Sequence, residues 1–204
     1  EEEALARDGF GGILAVGSGS VHESRLVMLE HRPGAATEPP IVLVGKGITF
    51  DTGGLNVKPA AGMLMMKTDM SGSAIVLGVM AALTALGVRR RVIGLLPLAE
   101  NAMGAASYRP GDVVTHYGGT TAEIGNTDAE GRIVLADALA YAAAELDPAA
   151  LVDIATLTGH ARIALASTMA PSYGTDDPLH TRIRDAFAAS GEPLWPMPLV
   201  EDYR

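Results

Sequence analysis

The chain has 204 residues, 48% of them hydrophobic, a formal net charge of −9 and no cysteine. This composition is that of a globular protein and excludes a disordered or fibrous one. The negative charge argues against nucleic acid or an anionic membrane as a main partner, and the absence of cysteine excludes disulfides, thiolate catalysis and cysteine-based zinc sites. Apolar runs well short of about 18 residues and the lack of a signal-peptide pattern predict a soluble cytoplasmic protein without membrane association.

Strand and helix patterns alternate along the chain. We predict strands at 13–16, 25–30, 41–44, 92–96, 112–117, 120–124 and 151–155, and helices at 71–86, 132–145 and 177–190. Residues 34–40 form a predicted turn, 55–66 and 97–110 are predicted loops, and the Pro-rich stretch 192–204 carries no fold signal. This order predicts an α/β fold with a central mixed β-sheet flanked by helices, and a site at the carboxyl ends of the strands.

The predicted helix 71–86 places Ile75, Val79, Ala82 and Leu86 on one apolar face, which we expect to be buried.

Residues 125–132, Gly-Asn-Thr-Asp-Ala-Glu-Gly-Arg, carry two carboxylates two positions apart. Asp128 and Glu130 point to the same side in an extended backbone, but are roughly 200° apart on a helix. We therefore expect the following helix to start after both of them. The alternative is a capping box, in which Glu130 folds back on Thr127 at the helix N-terminus.

Lysine is confined to one part of the chain. Of 15 basic residues only Lys46, Lys58 and Lys67 are lysines, and they fall within 22 residues. Unlike a guanidinium group, an amine can lose its proton near a cation and donate a lone pair. The alternatives are chance clustering or ordinary surface lysines.

Five candidate groups follow predicted strands or precede a helix: Lys46, Asp51, Asp69, Asp128 and Glu130. Taken singly, Asp69 would be a helix N-cap and Asp51 a turn residue. Four carboxylates buried together must protonate or bind metal, and an oxygen-rich site with one nitrogen ligand suits two divalent ions. The five histidines show no ligand spacing, so we interpret them as surface or hydrogen-bonded residues.

Three segments carry a resemblance to a known family. The stretches Val-Gly-Lys-Gly-Ile-Thr-Phe-Asp-Thr-Gly-Gly at 44–54, Met-Lys-Thr-Asp-Met at 66–70 and Asn-Thr-Asp-Ala-Glu-Gly-Arg at 126–132 resemble the leucine (cytosol) aminopeptidase family. The resemblance extends from about residue 9 to 203. It implies a dizinc leucyl aminopeptidase that hydrolyses the N-terminal residue, leucine and similar, from peptides through a metal-bridging water.

The resemblance also implies the ligands of two divalent ions. Lys46, Asp51, Asp69 and Glu130 would hold one ion, and Asp51, Asp128 and Glu130 the other. The ions would be Zn2+, with Mn2+ or Mg2+ able to occupy the looser site.

The same resemblance implies catalytic roles for two cations. Lys58 would polarise the scissile carbonyl and stabilise the oxyanion, and Arg132 would hold a bicarbonate that takes a proton from the attacking water. The substrate would be bound by a further set of residues: Met66, Thr156, Leu157 and Gly159. Ser71 and His160 depart from the family pattern.

For the chain as a whole, the resemblance implies a partial catalytic domain over 1–204, without the family's N-terminal domain and the last part of the catalytic domain. Its expected partners are peptide substrates and copies of itself, since intact family members form hexamers; no nucleic acid is expected. The alternative interpretation is an inactive fragment or a non-catalytic DNA-binding or regulatory relative.

Overall fold

The computed structural model describes residues 1–34 and 37–203. Residues 35 and 36 of the predicted turn 34–40 and residue 204 of the Pro-rich stretch therefore lie outside the described residues. The chain forms two compact units, Glu1–Leu157 and a second that begins at Thr158.

The first unit contains the main sheet and five helices among its described residues. Its helices are α1 (Glu2–Asp8), α2 (Gly11–Gly17), α3 (Ala60–Met63), α4 (Ser71–Ala82) and α5 (Glu130–Glu145), with 3₁₀ turns at Met66–Thr68 and Thr127–Ala129. Its strands are β1 (Arg25–His31), β2 (Ile41–Gly45), β3 (Gly47–Asp51), β4 (Val92–Asn101), β5 (Val113–Thr115), β6 (Thr121–Glu123) and β7 (Ala150–Ile154).

The second unit is smaller. It contains α6 (His160–Leu165), β8 (Ala170–Ser172), α7 (Asp177–Ala189) and β9 (Leu194–Pro196), followed by a 3₁₀ turn at Glu201–Tyr203. Strands β8 and β9 pair in parallel. Across the described residues of both units, no helix combines the length and apolar character needed to cross a membrane.

The main sheet is mixed, as predicted. Its order is β1-β4-β2-β7, with β3 also paired to β4; β1 runs antiparallel to β4, and the other pairs are parallel. Strand β4 is buried along almost its whole length, which is typical of a strand covered on both faces. The predicted hairpin at 112–124 is confirmed by the pairing of β5 with β6.

Strands β2 and β3 follow one another along β4 and are interrupted at Lys46. The register pairs Val44 with Leu95 and Gly47 with Leu98, so Lys46 falls opposite Pro97. The Lys46 N–H instead donates to the Ile154 carbonyl at 2.9 Å. Because Pro97 has no N–H, it is tolerated in this inner strand at the point where its neighbour is interrupted. Because of this proline the strand was predicted to end at residue 96, whereas β4 continues to Asn101; strand β3 was not predicted.

The predicted strand 13–16 is wrong, since these residues lie in helix α2. Ile13 and Val16, three positions apart, are both buried in the core between α2, β3, β4 and α5. The Ile13 N–H is bonded to the Asp137 carboxylate at 2.9 Å. A four-residue apolar run is compatible with either a strand or a buried helix segment, and only this tertiary contact decides between them.

The expected buried face of α4 is also wrong. Ile75 and Val79 are exposed, whereas Gly72, Ser73 and Val76 face inward. A side chain at Gly72 would collide with the carbonyl of Ile154, so the small residues allow the helix to lie directly against the strand ends. Close approach of backbones, rather than apolar area, therefore sets the orientation of α4.

Asp137 on α5 joins three elements through one buried carboxylate. It accepts hydrogen bonds from the Ile13 N–H at 2.9 Å, the Tyr117 N–H at 3.1 Å and His116 Nδ1 at 2.8 Å. We expect Asp137→Ala to lower the free energy of unfolding by about 3 kcal/mol or more, because it leaves these buried donors without an acceptor.

Urea denaturation measures this loss. The matched control is Glu145→Gln on the same helix, where an exposed carboxylate bonds only the Tyr117 hydroxyl, and should change stability by less than about 0.5 kcal/mol. Equal unfolding midpoints for the two variants would contradict this role of Asp137.

Candidate metal centre

The five candidate residues lie at one edge of the sheet. Lys46 occupies the interruption between β2 and β3, Asp51 ends β3, and Asp69 follows the 3₁₀ turn before α4. Asp128 lies in the 3₁₀ turn 127–129, and Glu130 is the first residue of α5. The edge is the one where the parallel strands have their carboxyl ends, as in other open α/β sheets with ligand sites.

Lys46 forms one half of the cluster. Its Nζ lies 2.9 and 2.8 Å from the two Asp69 oxygens and 2.8 Å from Glu130 Oε1, and it donates to the Thr156 carbonyl at 2.9 Å. The side chain is 2% exposed. Any side chain at Gly131 would overlap the end of Lys46, so glycine at that position leaves room for the amine.

Lys58 forms the other half. Its Nζ lies 2.9 Å from Asp51 Oδ2 and 2.6 Å from Asp128 Oδ1, so this amine bridges the second pair of carboxylates. Burial alone would lower the pKa of Lys58, but its contacts with Asp128 and Asp51 outweigh burial and raise it above the usual value. Lys58 therefore keeps its positive charge throughout the neutral pH range.

The two carboxylates that contact Lys46 are buried, although their ionised forms are more stable in water. Burial raises the pKa of Glu130 to about 7 and also raises that of Asp69, in spite of the opposing effect of Lys46 on both groups. A single amine therefore compensates the two buried carboxylates only in part, and a further cation would stabilise their ionised forms.

Several oxygens of the cluster are available to a cation. Glu130 Oε2 is buried without a hydrogen-bond partner, while Asp69 Oδ2 and Asp128 Oδ1 lie at ion-pair distance from an amine without a well-directed hydrogen bond. One oxygen from each of Asp51, Asp128 and Glu130 lies within 4.8 Å of the others. Carboxylate oxygens at this spacing, with an amine nearby, fit the ligand preferences of divalent ions.

The local backbone differs from the predicted one. Asp128 and Glu130 do not precede the helix in an extended segment, because they lie in a 3₁₀ turn and the first helical turn. The capping box is absent as well, since the Thr127 hydroxyl donates to the Gly53 carbonyl at 2.7 Å and Glu130 contacts Lys46. Asn126 caps the turn instead, accepting from the Asp128 N–H at 2.9 Å.

Asp69 is not the N-cap of α4 either. The cap position belongs to Met70 and has no side-chain hydrogen bond. The Asp69 carboxylate accepts instead from the Thr156 hydroxyl at 2.7 Å and from Lys46. Thr156 thus contacts both Lys46 and Asp69, beyond the substrate role expected for it.

Four predicted site residues remain: Met66, Arg132, Leu157 and Gly159. Met66 is half-buried and its carbonyl accepts from the Asp69 N–H at 3.2 Å. Arg132 is exposed on the first turn of α5 and has no ion pair with any described residue. Leu157 is exposed at the end of the first unit. Gly159 lies in the second unit, at the N-cap of α6.

Sequence reasoning missed Asn101, the last residue of β4. Its amide donates to Asp51 Oδ1 at 2.8 Å and to the Thr127 carbonyl at 3.0 Å, and its side chain is fully buried. The available signal was a polar residue two positions after the apolar run 92–99, but the predicted loop 97–110 concealed it.

Comparison with known proteins supplies the family. A family model described as "Cytosol aminopeptidase family, catalytic domain" matches residues 1–204. The chain is 54% identical over 204 residues to a probable cytosol aminopeptidase of Desulfovibrio desulfuricans and 47% identical over 203 residues to one of Chlorobium limicola. Both matches include 100% of this chain but only 41% and 40% of the relatives, so the chain spans about two fifths of their length. The α/β sheet, the acidic cluster at its edge and this match over the whole chain establish that the chain belongs to the cytosol aminopeptidase family.

Proposed function

We propose that this chain carries the metal centre of an aminopeptidase that uses two divalent ions to hydrolyse the N-terminal residue from peptides. The observation that carries the proposal is the cluster of four carboxylates and two amines, in which Lys46, Asp51, Asp69 and Glu130 are buried and Glu130 Oε2 has no hydrogen-bond partner among the described residues. Membership of the cytosol aminopeptidase family supports the peptidase reaction.

Two overlapping sets of residues would hold the ions. Lys46, Asp51, Asp69 and Glu130 would form the tighter site, and Asp51, Asp128 and Glu130 the looser one, so Asp51 and Glu130 are shared. We assign Zn2+ to the tighter site and Zn2+, Mn2+ or Mg2+ to the looser one. When bound, the ions supply Lewis acidity and lower the pKa of the attacking water.

Lys58 would act on the substrate rather than hold an ion. Its amine lies beside Asp51 and Asp128, two of the proposed ligands, and its side chain is 16% exposed, so the amine can be approached from outside the cluster. It would donate to the carbonyl oxygen of the scissile bond and stabilise the negative charge that develops there.

Arg132 would bind an anion beside the site. Its guanidinium is exposed and has no ion pair with the described residues, so it can hold a bicarbonate ion that accepts a proton during hydrolysis. Guanidinium matches planar oxyanions with two parallel hydrogen bonds.

The finer assignments follow the family. We propose preference for leucine and similar residues, with Met66, Thr156, Leu157 and Gly159 at the substrate, self-assembly into a hexamer, and a cytoplasmic location. The description of the two relatives as probable cytosol aminopeptidases supports the location and the reaction class. A DNA-binding relative is not favoured, because the chain has 24 acidic residues against 15 basic ones.

We expect Lys46→Arg to abolish binding at the tighter site. A guanidinium group does not lose its proton in proteins, so it cannot provide a nitrogen ligand. Elemental analysis after gel filtration should give two ions per chain for the unmodified protein and at most one for the variant. Lys67→Arg, at an exposed position, is the matched control and should retain two. A Lys46→Arg protein with two tightly held ions would contradict the assignment.

In an intact enzyme that contains this chain, we expect Lys58→Ala to lower kcat by about 10²–10³-fold, the usual cost of losing an oxyanion donor, while two ions remain bound. Arg132→Ala should cost less, because water or a buffer anion can replace the bicarbonate. Hydrolysis of a leucine anilide measures both variants, with Arg89→Ala, another exposed arginine, as control. Turnover of Lys58→Ala equal to that of the control would show that Lys58 is only a loop residue.

A further inference from the structure

Asn101 is a buried amide in contact with a carboxylate of the proposed metal centre. Its side chain is fully buried at the end of β4. The side-chain Nδ2 donates to Asp51 Oδ1 at 2.8 Å and to the Thr127 carbonyl at 3.0 Å. One amide group thus links the end of β3 to the turn that carries Asp128.

The chemistry of the contacts fixes the orientation of this amide. Both of its neighbours, Asp51 Oδ1 and the Thr127 carbonyl, are acceptors, so a flipped amide would oppose oxygen to oxygen at two points. In the observed orientation Oδ1 is buried and no residue that the structure describes forms a hydrogen bond with it. Such an oxygen destabilises a fold, and a leucine of the same shape would avoid it. The presence of asparagine rather than leucine at this position therefore points to a use for the two hydrogen bonds that its amide donates.

A local irregularity of the sheet brings Asn101 and Asp51 together. The register between β3 and β4 shifts by one residue between Ile48 and Asp51, so that Asp51 pairs with Asn101. Without this shift, Asp51 would lie opposite Ala102. Bulges of this kind re-aim side chains next to functional sites.

The amide leaves one oxygen of Asp51 for the centre. Oδ1 accepts from Asn101 and from the Gly53 N–H at 2.9 Å, so both of its lone-pair directions are used. Oδ2 faces the Lys58 amine, beside Asp128. The direction in which Asp51 presents Oδ2 thus depends on Asn101.

We propose that Asn101 is a positioning residue, which fixes the rotamer of Asp51 and its distance from the Asp128 turn so that Asp51 can be shared by two ions. This inference rests on the proposed function, in which Asp51 is a ligand of both sites. Residues that hold ligands in this way typically change metal affinity by 10–100-fold when they are replaced.

The test is Asn101→Leu, which keeps the shape of the side chain and removes both donors. The fold should survive, because Asp51 Oδ1 keeps the Gly53 N–H and the Thr127 carbonyl keeps the Tyr108 hydroxyl at 2.7 Å. Titration with Zn2+ against a chromophoric chelator should show about 10–100-fold weaker binding, and the visible spectrum of bound Co2+ should change. Circular dichroism and the urea midpoint report whether the fold is intact.

Two further variants complete the test. Ser107→Ala removes a buried hydroxyl whose hydrogen bonds, among the described residues, are to backbone groups of the same loop, and should bind Zn2+ like the unmodified chain. Asn101→Asp keeps the size of the side chain but places a second carboxyl group against Asp51, so it should also weaken Zn2+ binding. This variant serves as the test if Asn101→Leu does not fold.

The possible results distinguish failure of the positioning role of Asn101 from failure of the proposed function. Weaker Zn2+ binding by a folded Asn101→Leu chain supports the positioning role. Affinity and Co2+ spectrum equal to those of Ser107→Ala would overturn it and leave the proposed function intact. Failure of the unmodified chain to bind Zn2+ at all would overturn the proposed function, and with it the role of Asn101.

Discussion

Four carboxylates at one edge of a sheet repel one another and lose much of their hydration, so positive charge must lie between them. Burial of a single unpaired ion costs on the order of several kcal/mol. Lys46 and Lys58 provide this charge, each between a different pair of carboxylates. The surrounding fold can be understood as the means of bringing two amines and four acids to the same place.

The interruption of one strand determines where Lys46 lies. The backbone between β2 and β3 turns toward β7, and the Lys46 amine reaches the start of α5. Glycines at 72 and 131 remove the side chains that would block this path. Pro97, opposite the interruption, needs no ladder partner. The interrupted strand, the two glycines and Pro97 thus all allow the Lys46 amine to reach the carboxylates.

The sequence predicted the mixed sheet better than the local backbone of the candidate ligands. Asp51 and Asp128 were expected after strands, but Asp51 is the last residue of the unpredicted strand β3 and Asp128 lies in a 3₁₀ turn. Helix α2 and the buried face of α4 could not be predicted, since they depend on backbone contacts such as that of Gly72 with Ile154. Asn101 was missed for a related reason: Pro97 ended the predicted strand before the residue that contacts Asp51.

The central claim is that this cluster of acids and amines is a two-ion centre. Anomalous diffraction from crystals of the chain grown with Zn2+ tests it most directly, because it locates each ion independently of activity. The account predicts two peaks per chain, one beside Lys46 and Asp69 and one beside Asp128, with Asp51 and Glu130 next to both. Crystals that show no peak at the cluster, with Lys46 and Lys58 still paired to the carboxylates, would contradict it.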